Sequence, residues 1–221
     1  MKNYSIIIPI HNEARHLKQL IAELKPYLLK NEIIIIDDGS TDNSYNIIKE
    51  SSNNIIILRN EKRRGKGYSI KKGIGCAENE KIILWDGDLE VKTKNIKDLM
   101  ILDKISGENF ILGHRCNNDK SKSLFSFGNY LFTKFLNILF KVEIKDALCF
   151  GKAFYKQLLN EILISEKFDI DIEILITLIQ TKAQFKEVEL NYTRRSMKSG
   201  KKIRYFDGLY ILKRMILMRF S

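Results

Sequence analysis

Apolar runs and amphipathic segments alternate along the first 113 residues of the chain. Five short apolar runs predict β-strands, at residues 5–9, 32–36, 54–58, 81–85 and 109–112. Between the first two runs, apolar side chains recur every three or four residues and predict a helix with one apolar face, formed by Leu17, Leu20, Ile21, Leu24 and Leu28. This alternation is typical of stacked β-α-β units, so the predicted fold class is α/β, with a mostly parallel central sheet flanked by helices.

Two apolar stretches in the second half predict helices, but the pattern does not decide whether they contact the protein core or a membrane. Residues 124–140 are rich in Phe and Leu, but polar residues interrupt them, so we expect a core or interfacial helix rather than a membrane-spanning one. Residues 203–220 combine apolar side chains with Lys213, Arg214 and Arg219. Such a basic amphipathic C-terminal helix either lies in the headgroup region of an anionic membrane or packs on the sheet, and the pattern favours neither.

Length, cysteines and charge narrow the class of protein. A chain of 221 residues suffices for one buried core, so we expect one domain, with or without an appendage. Three cysteines without metal-ligand spacing predict neither a disulfide framework nor a structural zinc site, and the N-terminus does not resemble a signal peptide.

The net charge is +11, and residues 191–221 hold nine basic residues against one acid, Asp207. A basic tail by itself fits nucleic acid, anionic lipid or a phosphorylated ligand equally well.

Polar side chains gather where the first, second and fourth predicted strands end. They are His11, Asn12 and Glu13 after the first strand, Asp37 and Asp38 after the second, and Asp86 and Asp88 after the fourth. In open α/β sheets the ligand crevice lies beyond the carboxyl ends of the strands, so we expect the three clusters to form one cleft. Residues 37–42 also suit a turn and a helix cap, but the agreement of three clusters favours the cleft.

Two short motifs carry the candidate chemistry. Asp86 and Asp88 flank a single glycine; carboxylates this close suit Mg²⁺ or Mn²⁺ beside a diphosphate, although Asp-Gly-Asp is also an ordinary turn. Residues 65–67, Gly-Lys-Gly, open the third predicted helix, where glycines allow a close backbone approach and Lys66 is a candidate phosphate partner. A solvated basic loop is the alternative for that segment.

Four segments together resemble a known family. Residues 5–13, 36–42, 65–67 and 85–90 are similar, in order and spacing, to glycosyltransferase family 2 with its GT-A fold, and most of all to dolichol-phosphate or polyprenyl-phosphate sugar transferases. The resemblance implies that one set of residues surrounds the nucleotide, namely Pro9, His11, Asn12, Glu13, Asp37, Asp38 and Lys66. It implies that Asp86 and Asp88 hold the metal and diphosphate, and that Glu90 supplies a further metal ligand.

The resemblance continues more loosely into the acceptor half. It implies that a set of basic and hydroxyl residues binds the acceptor phosphate or the diphosphate, namely Arg115, Lys122, Ser126, Arg195 and Lys201. Asp171 and Glu173 match an acidic pair that faces the acceptor. One of them would be the base if the acceptor were a hydroxyl, whereas a phosphate acceptor needs no base and leaves them to orient Lys or Arg. They also suit the first turn of a helix for purely structural reasons.

The resemblance thus predicts a metal-dependent, inverting glycosyltransferase that moves a sugar from a UDP- or GDP-sugar to a dolichyl or undecaprenyl phosphate. We expect a GT-A domain over residues 1–190, with a nucleotide-binding half at 1–113 and an acceptor half at 114–190, followed by a basic segment at 191–221. The expected location is the cytoplasmic face of a membrane, peripherally bound, with a membrane protein as a candidate partner. The alternative within the family is transfer to a glycan hydroxyl. A nucleic-acid-binding module is the remote alternative, and no nucleic-acid partner is expected because no RNP-like aromatic pattern accompanies the basic tail.

Overall fold

The computed structural model describes residues 3–51, 54–117, 124–159, 163–193 and 205–220. Within these residues, seven strands form one sheet: β1 (Ser5–Ile10), β2 (Glu32–Asp37), β3 (Ile56–Arg59), β4 (Lys81–Leu84), β5 (Phe110–Asn117), β6 (Lys152–Tyr155) and β7 (Phe185–Tyr192). The α-helices of the described chain are α1 (Ala14–Leu24), α2 (Ser44–Ser51), α3 (Lys66–Cys76), α4 (Ile96–Leu99), α5 (Leu124–Phe140), α6 (Ile170–Gln180) and α7 (Tyr205–Phe220).

The strands lie in the order β3-β2-β1-β4-β6-β5-β7. Strands β1 to β4 pair in parallel, β6 runs antiparallel between β4 and β5, and β5 pairs in parallel with β7. The prediction of an α/β fold with a mostly parallel central sheet is therefore confirmed. Strands from both predicted halves of the chain belong to this single sheet.

Alternate side chains of the buried strands supply two cores, one on each face of the sheet. In β1, Ile6 and Ile8 pack with α1, α2 and α4, while Ile7 packs with α3, α5, α6 and α7 on the other face. Both faces are covered because β-α-β crossovers place helices on each side, so the strands read as continuous apolar runs. Leu17, Leu20, Ile21 and Leu24 of α1 are buried, as their spacing predicts, whereas Leu28 lies beyond the end of α1 and is half-buried.

The sequence predicts the first four strands closely and misses two others. The third strand lies two residues later than expected at its start, and β5 extends to Asn117 instead of ending at residue 112. Strand β6 escapes prediction because it has four residues and begins with Lys152, which is buried. Strand β7 mixes charged and apolar side chains, and only Leu190 among them is fully buried.

Both predicted helices of the second half are present as α5 and α7. Ile211 and Met215 of α7 are buried in the core that α5 and α6 share, while Leu209 and Leu217 are exposed. The helix therefore packs on the domain with one face and leaves an apolar face outside. No helix in the described parts of the chain combines the length and hydropathy needed to cross a membrane.

Candidate functional site

The three polar clusters meet at one edge of the sheet. Strand β1 has β2 on one side and β4 on the other, so the direction in which successive strands are added reverses at β1. A crevice opens beyond the carboxyl ends of the strands at such a switch point. The segments that follow β1, β2 and β4 adjoin one another there, since Asn12 contacts the loop after β2 and Gly87 packs against Ile10.

Asn12 ties the end of β1 to the loop after β2. Its backbone N–H donates to Ser40 Oγ at 2.9 Å, and its Oδ1 accepts from the N–H of Thr41 at 2.8 Å. The φ angle of 53° at Asn12 lies in the left-handed region, which asparagine tolerates better than most residues. His11 Nδ1 lies 2.9 Å from the carbonyl oxygen of Asp38. These contacts build a polar wall at the mouth of the crevice.

Pro9, Glu13 and Asp37 lie deeper in this wall. Pro9 pairs with Ile36 in the parallel ladder of β1 and β2. Glu13 and Asp37 are both buried; the N–H of Glu13 donates to Ser44 Oγ at 2.9 Å. Asp37 Oδ1 accepts from the N–H of Ser40 at 3.1 Å. Asp37 therefore shapes the loop after β2, rather than projecting from it.

Asp38 organises the loop that leads into α3. Its Oδ1 accepts from Asn60 Nδ2 at 2.9 Å and from the N–H of Arg64 at 2.8 Å, and its Oδ2 accepts from the N–H of Gly65 at 2.8 Å. Hydrogen bonds to an ionised carboxylate are stronger than neutral ones. The start of the Gly-Lys-Gly segment is thus fixed against the end of β2.

The glycines of that segment serve a close approach of two backbones. Gly65 has φ 106°, and a Cβ there would collide with the carbonyl oxygen of Glu166. A Cβ on Gly67 would collide with the carbonyl oxygen of Ser165. The N–H of Tyr68 donates to the carbonyl of Glu166 at 3.2 Å. The N-terminus of α3 therefore packs directly against the loop before α6. This close packing places Lys66, the first residue of α3, in the cleft.

Lys66 forms an ion bridge across the cleft. Its Nζ lies 2.8 Å from Asp86 Oδ1 and 2.8 Å from Asp171 Oδ2. Burial alone would lower the pKa of Lys66, but the charges of Asp171 and Asp86 raise it above its ordinary value. Burial raises the pKa of Asp86 to about 6; Lys66 opposes this rise, and the charges of Asp88 and Asp171 add to it. The lysine thus neutralises part of a crowded group of carboxylates.

Asp86 and Asp88 follow β4 in a turn whose shape depends on Gly87. A Cβ on Gly87 would lie 2.6 Å from Ile10 Cγ2, so the turn sits directly on the end of β1. Asp88 Oδ1 accepts from the N–H of Glu90 at 3.0 Å, and Leu89 between them has φ 59°. The turn brings the carboxylates of Asp86 and Asp88 to the cleft.

A divalent metal fits this donor set as a partner of a diphosphate. The described residues contain no group of three or more His, Cys, Asp or Glu side chains arranged for a metal. Two carboxylates are the usual protein contribution to a Mg²⁺ or Mn²⁺ site that takes its other ligands from phosphate and water. The oxygen ligands of Asp86 and Asp88 suit such an ion, and the sequence prediction for Glu90 stays a prediction.

On the acceptor side, Arg115 is held by Asp146. Arg115 Nε and NH2 donate to the two carboxylate oxygens at 2.7 and 2.8 Å, and Asn129 Nδ2 donates to Asp146 Oδ1 at 2.9 Å. Burial would raise the pKa of Asp146, but the hydrogen bonds and charge of Arg115 hold it below the usual range. The bidentate pair fixes the guanidinium plane, and 23% of the Arg115 side chain remains exposed. Asp146 is not among the predicted site residues, and its pairing with Arg115 comes from the structure.

Four predicted acceptor residues cannot be placed in the site. Lys122, Arg195 and Lys201 lie outside the described residues, and Ser126 belongs to α5 with an undescribed side chain. Their roles stay predictions.

The structure separates Asp171 from Glu173. Two residues apart on a helix, they point in different directions. Asp171 faces Lys66, whereas Glu173 is buried and accepts from the N–H groups of Ile164 and Ser165 at 3.0 and 2.8 Å. Glu173 thereby fixes the loop against which the start of α3 packs.

Lys152, a buried lysine near the site, is not among the predicted site residues. Lys152 is almost fully buried, and its Nζ donates to the carbonyl of Cys149. Burial lowers the pKa of Lys152 below its ordinary value, and the charge of Asp171 opposes this shift without cancelling it. Lys152 is the first residue of β6, a strand that the sequence does not predict.

The sheet order and the crevice of strand-end carboxylates are those of a GT-A-type transferase fold. Comparison with known proteins agrees. The family model "Glycosyl transferase family 2" matches residues 5–163, which is more than half of the chain, so the chain belongs to glycosyltransferase family 2. It is a nucleotide-sugar-dependent glycosyltransferase.

Two relatives extend the sequence similarity over nearly the whole chain, and a solved structure does the same for the fold. A dolichyl-phosphate beta-glucosyltransferase from Dictyostelium discoideum is 27% identical over 242 positions, which span 98% of this chain and 73% of the relative. The human dolichyl-phosphate beta-glucosyltransferase is 25% identical over 248 positions, spanning 99% and 75%. Glucosyl-3-phosphoglycerate synthase from Mycobacterium tuberculosis, crystallised with Mn²⁺, UDP and phosphoglyceric acid, matches 99% of this chain and 78% of its own with a TM-score of 0.77 and 14% identity. At that identity the match shows the fold alone.

Proposed function

We propose that this protein transfers a sugar from a nucleotide diphosphate to a polyprenyl phosphate, with Mg²⁺ or Mn²⁺ as cofactor and with inversion at the anomeric carbon. The observation that carries the donor half is the meeting of Asp86, Asp88 and the Lys66 ammonium beside the polar wall of Asn12 and Asp38. The acceptor half draws support from two relatives that are named dolichyl-phosphate glucosyltransferases and align with nearly the whole chain.

On the donor side, each group has a role that follows from its chemistry. The wall of His11, Asn12 and Asp38 would orient the base and ribose, while Asp86 and Asp88 would hold the metal. The bound metal would supply positive charge that stabilises the departing diphosphate. Lys66 would bind diphosphate oxygens as a point charge.

On the acceptor side, a phosphate simplifies the chemistry. A phosphate monoester is already anionic near neutral pH, so attack on the anomeric carbon requires positioning rather than a base. Arg115, oriented by Asp146, would bind that phosphate, assisted by Lys122, Ser126 and basic residues of the tail. The ion pair of Asp171 with Lys66 agrees with a carboxylate that positions a cation instead of accepting a proton.

One observation favours a second candidate, transfer to a glycan hydroxyl. Asp171 Oδ1 is buried and has no hydrogen-bond partner among the described residues. An acceptor hydroxyl would satisfy this oxygen and lose its proton to it. Glu173, whose carboxylate binds two backbone N–H groups, is the weaker candidate for that base.

A lipid acceptor also calls for contact with a membrane. Exposed apolar and basic side chains form one stripe along α5 and another along α7, and we call them together the α5/α7 surface: Phe127, Tyr130, Leu131, Lys134, Ile138, Leu209, Lys213, Ile216, Leu217 and Phe220. The two helices pack together, and the described side chains of residues 127–140 and 208–220 include no acid. Such a surface suits peripheral binding to anionic lipid on the cytoplasmic face of a membrane.

The test is a transfer assay with labelled UDP- and GDP-sugars, Mn²⁺, and three acceptors: a polyprenyl phosphate, the matching polyprenol and a free glycan. We expect label in the lipid extract with the phosphate alone. Arg115→Ala should abolish this transfer, while Asp171→Asn should reduce it less. If Asp171→Asn and Glu173→Gln abolish transfer and Arg115→Ala does not, the lipid-phosphate assignment is wrong and the hydroxyl acceptor takes its place.

A further inference from the structure

The ammonium of Lys66 joins carboxylates from two parts of the fold. Asp86 follows β4 in the donor half, and Asp171 lies in the first turn of α6, 105 residues after Lys66. Both N–O distances are 2.8 Å, and the lysine side chain is 12% exposed. Charges that are this close and this buried interact with little screening by solvent.

The carboxylates around Lys66 keep an excess of negative charge in spite of this bridge. Asp86 and Asp171 share one ammonium, and Asp88 adds a third carboxylate that interacts with Asp86. Lys152 interacts with Asp171 electrostatically, but its hydrogen bond goes to a backbone carbonyl. A site with this excess of negative charge attracts a further cation.

Lys66 already binds the carboxylate oxygen of Asp86 that such a cation would need as a ligand. Its Nζ contacts Asp86 Oδ1 directly, and a divalent ion on the same carboxylate would repel an ammonium at that distance. The lysine stem is flexible and its three N–H donors can turn to phosphate oxygens. A metal with a diphosphate therefore offers Asp86 and Lys66 new partners at the same moment, whereas a metal alone offers a partner to Asp86 only.

We propose that Lys66 is an exchangeable counter-cation of the donor site. Without donor, its ammonium occupies the cation position at Asp86; when metal and nucleotide diphosphate bind, Asp86 passes to the metal and Lys66 passes to the diphosphate. The inference rests on the proposed function, because it takes Asp86 to be a metal ligand. The exchange also removes the ammonium from Asp171, so donor binding changes the charge that faces the acceptor.

The exchange makes metal and nucleotide depend on each other. Metal alone competes with Lys66 and binds weakly, while each of the two ligands strengthens binding of the other by the same factor. Replacing Lys66 by a neutral side chain should therefore improve the binding of a cation and weaken that of the nucleotide. A purely structural role for Lys66 would not produce effects of opposite sign.

The experiment measures Mn²⁺ affinity by electron paramagnetic resonance, without nucleotide, with UDP and with GDP. We expect Lys66→Met to bind Mn²⁺ alone about tenfold more tightly than wild type, within the range usual for coupled sites, and to lose most of the gain that the nucleotide gives. Lys66→Arg, which keeps the charge, should bind Mn²⁺ alone as weakly as wild type. Lys71→Met removes the same charge five residues further along α3 and should also behave as wild type.

Thermal unfolding establishes that each variant is folded, and Lys66→Gln replaces Lys66→Met if the latter is not. If the folded neutral variant binds Mn²⁺ alone no more tightly than wild type, the exchange is wrong, even where Mn²⁺ with nucleotide still binds. If wild type binds no Mn²⁺ in the presence of either UDP or GDP, the metal-dependent function fails together with the exchange.

Discussion

Asp146 holds the guanidinium of Arg115 by two hydrogen bonds in a place almost closed to water. The side chain of Asp146 is 6% exposed, and Asn129 donates to the same carboxylate. Removing one partner of a buried ion pair leaves the other charge uncompensated, which costs more than the pair itself contributes. Asp146 thus stabilises the fold, and it also orients Arg115, the residue that we propose binds the acceptor phosphate.

Asp146→Asn should lower the free energy of unfolding at pH 7 by about 3 kcal/mol. Because the folded-state pKa of Asp146 lies below its unfolded value, the carboxylate stabilises the fold above pH about 4, and this contribution is lost as the pH falls through the folded pKa. Urea unfolding at pH 7 and at pH 3 measures both effects. An equal difference between wild type and variant at the two pH values would contradict the role of the charged form.

Two glycines of α3, Gly67 and Gly75, allow a matched test of the close packing between α3 and the loop before α6. A Cβ on Gly67 meets the backbone of Ser165, whereas a Cβ on Gly75 meets nothing within 4 Å. Gly67→Ala should destabilise the protein by about 1–3 kcal/mol, as overpacking does, and Gly75→Ala should stabilise it by about 0.5–1 kcal/mol. Calorimetric unfolding compares them, and equal effects of the two substitutions would be inconsistent with the packing described.

At the scale of elements, α6 connects the C-terminal helix with the donor site. Arg214 of α7 lies 3.2 Å from Asp169 Oδ2 and 3.7 Å from Glu173 Oε1. Glu173 in turn fixes the N–H of Ser165, whose carbonyl contacts the start of α3. Arg214 therefore points into the protein, unlike the exposed Lys213 beside it, and is not available to a lipid.

Arg214→Met should detach α7 from α6. The three side chains are 15% exposed or less, so we expect a loss of about 3 kcal/mol in stability and faster amide exchange along α7. Lys213→Met should change stability by less than about 0.5 kcal/mol. Hydrogen exchange by mass spectrometry measures both variants; unchanged protection of α7 in Arg214→Met would show that apolar packing alone holds the helix.

The elements that the sequence predicts are those whose signal is local. The isoleucine-rich strands β1 and β2 and the leucine stripe of α1 carry their pattern within a few residues. Strand β6 does not, because its burial comes from its neighbours β4 and β5.

The same limit applies to the site. The clusters at the ends of β1, β2 and β4 come together because these strands are parallel neighbours, and β-α-β alternation predicts a parallel sheet. The Lys66–Asp171 bridge joins residues far apart in sequence, and nothing near either residue indicates it. The different surroundings of Asp171 and Glu173 follow from how α6 packs, which the sequence pattern does not determine.

At the scale of the whole molecule, the proposed lipid contact lies on one face of the sheet. Helices α5 and α7 both pack on the core that contains Ile7, and the α5/α7 surface lies on their outer sides. The cations Lys134 and Lys213 lie within the two apolar stripes. Each cation near an anionic membrane contributes about 1 kcal/mol, and the apolar side chains add to this by burial among the lipids.

Placing a charge in each stripe tests this surface. The double substitution Ile138→Glu and Leu217→Glu should reduce co-sedimentation with vesicles of anionic lipid at least about tenfold, because it adds negative charge and removes apolar contact. Ile105→Glu changes a side chain that is 97% exposed and lies outside the α5/α7 surface, so binding should stay as in wild type. Equal binding of wild type to neutral and anionic vesicles would contradict the electrostatic part of the proposal.

The central proposal is that the cleft at the ends of β1, β2 and β4 binds a metal and a nucleotide. Thermal unfolding with ligands tests it most directly. Wild type and Asp88→Ala are compared with UDP, GDP and other nucleotides, each with and without Mn²⁺. We expect one nucleotide to raise the melting temperature of wild type only when Mn²⁺ is present, because a ligand that binds the folded state stabilises it, and we expect Asp88→Ala to lose this rise. If no nucleotide gives a metal-dependent rise in wild type, or if Asp88→Ala retains it in full, the assignment of the β4 carboxylates to the metal and diphosphate is wrong.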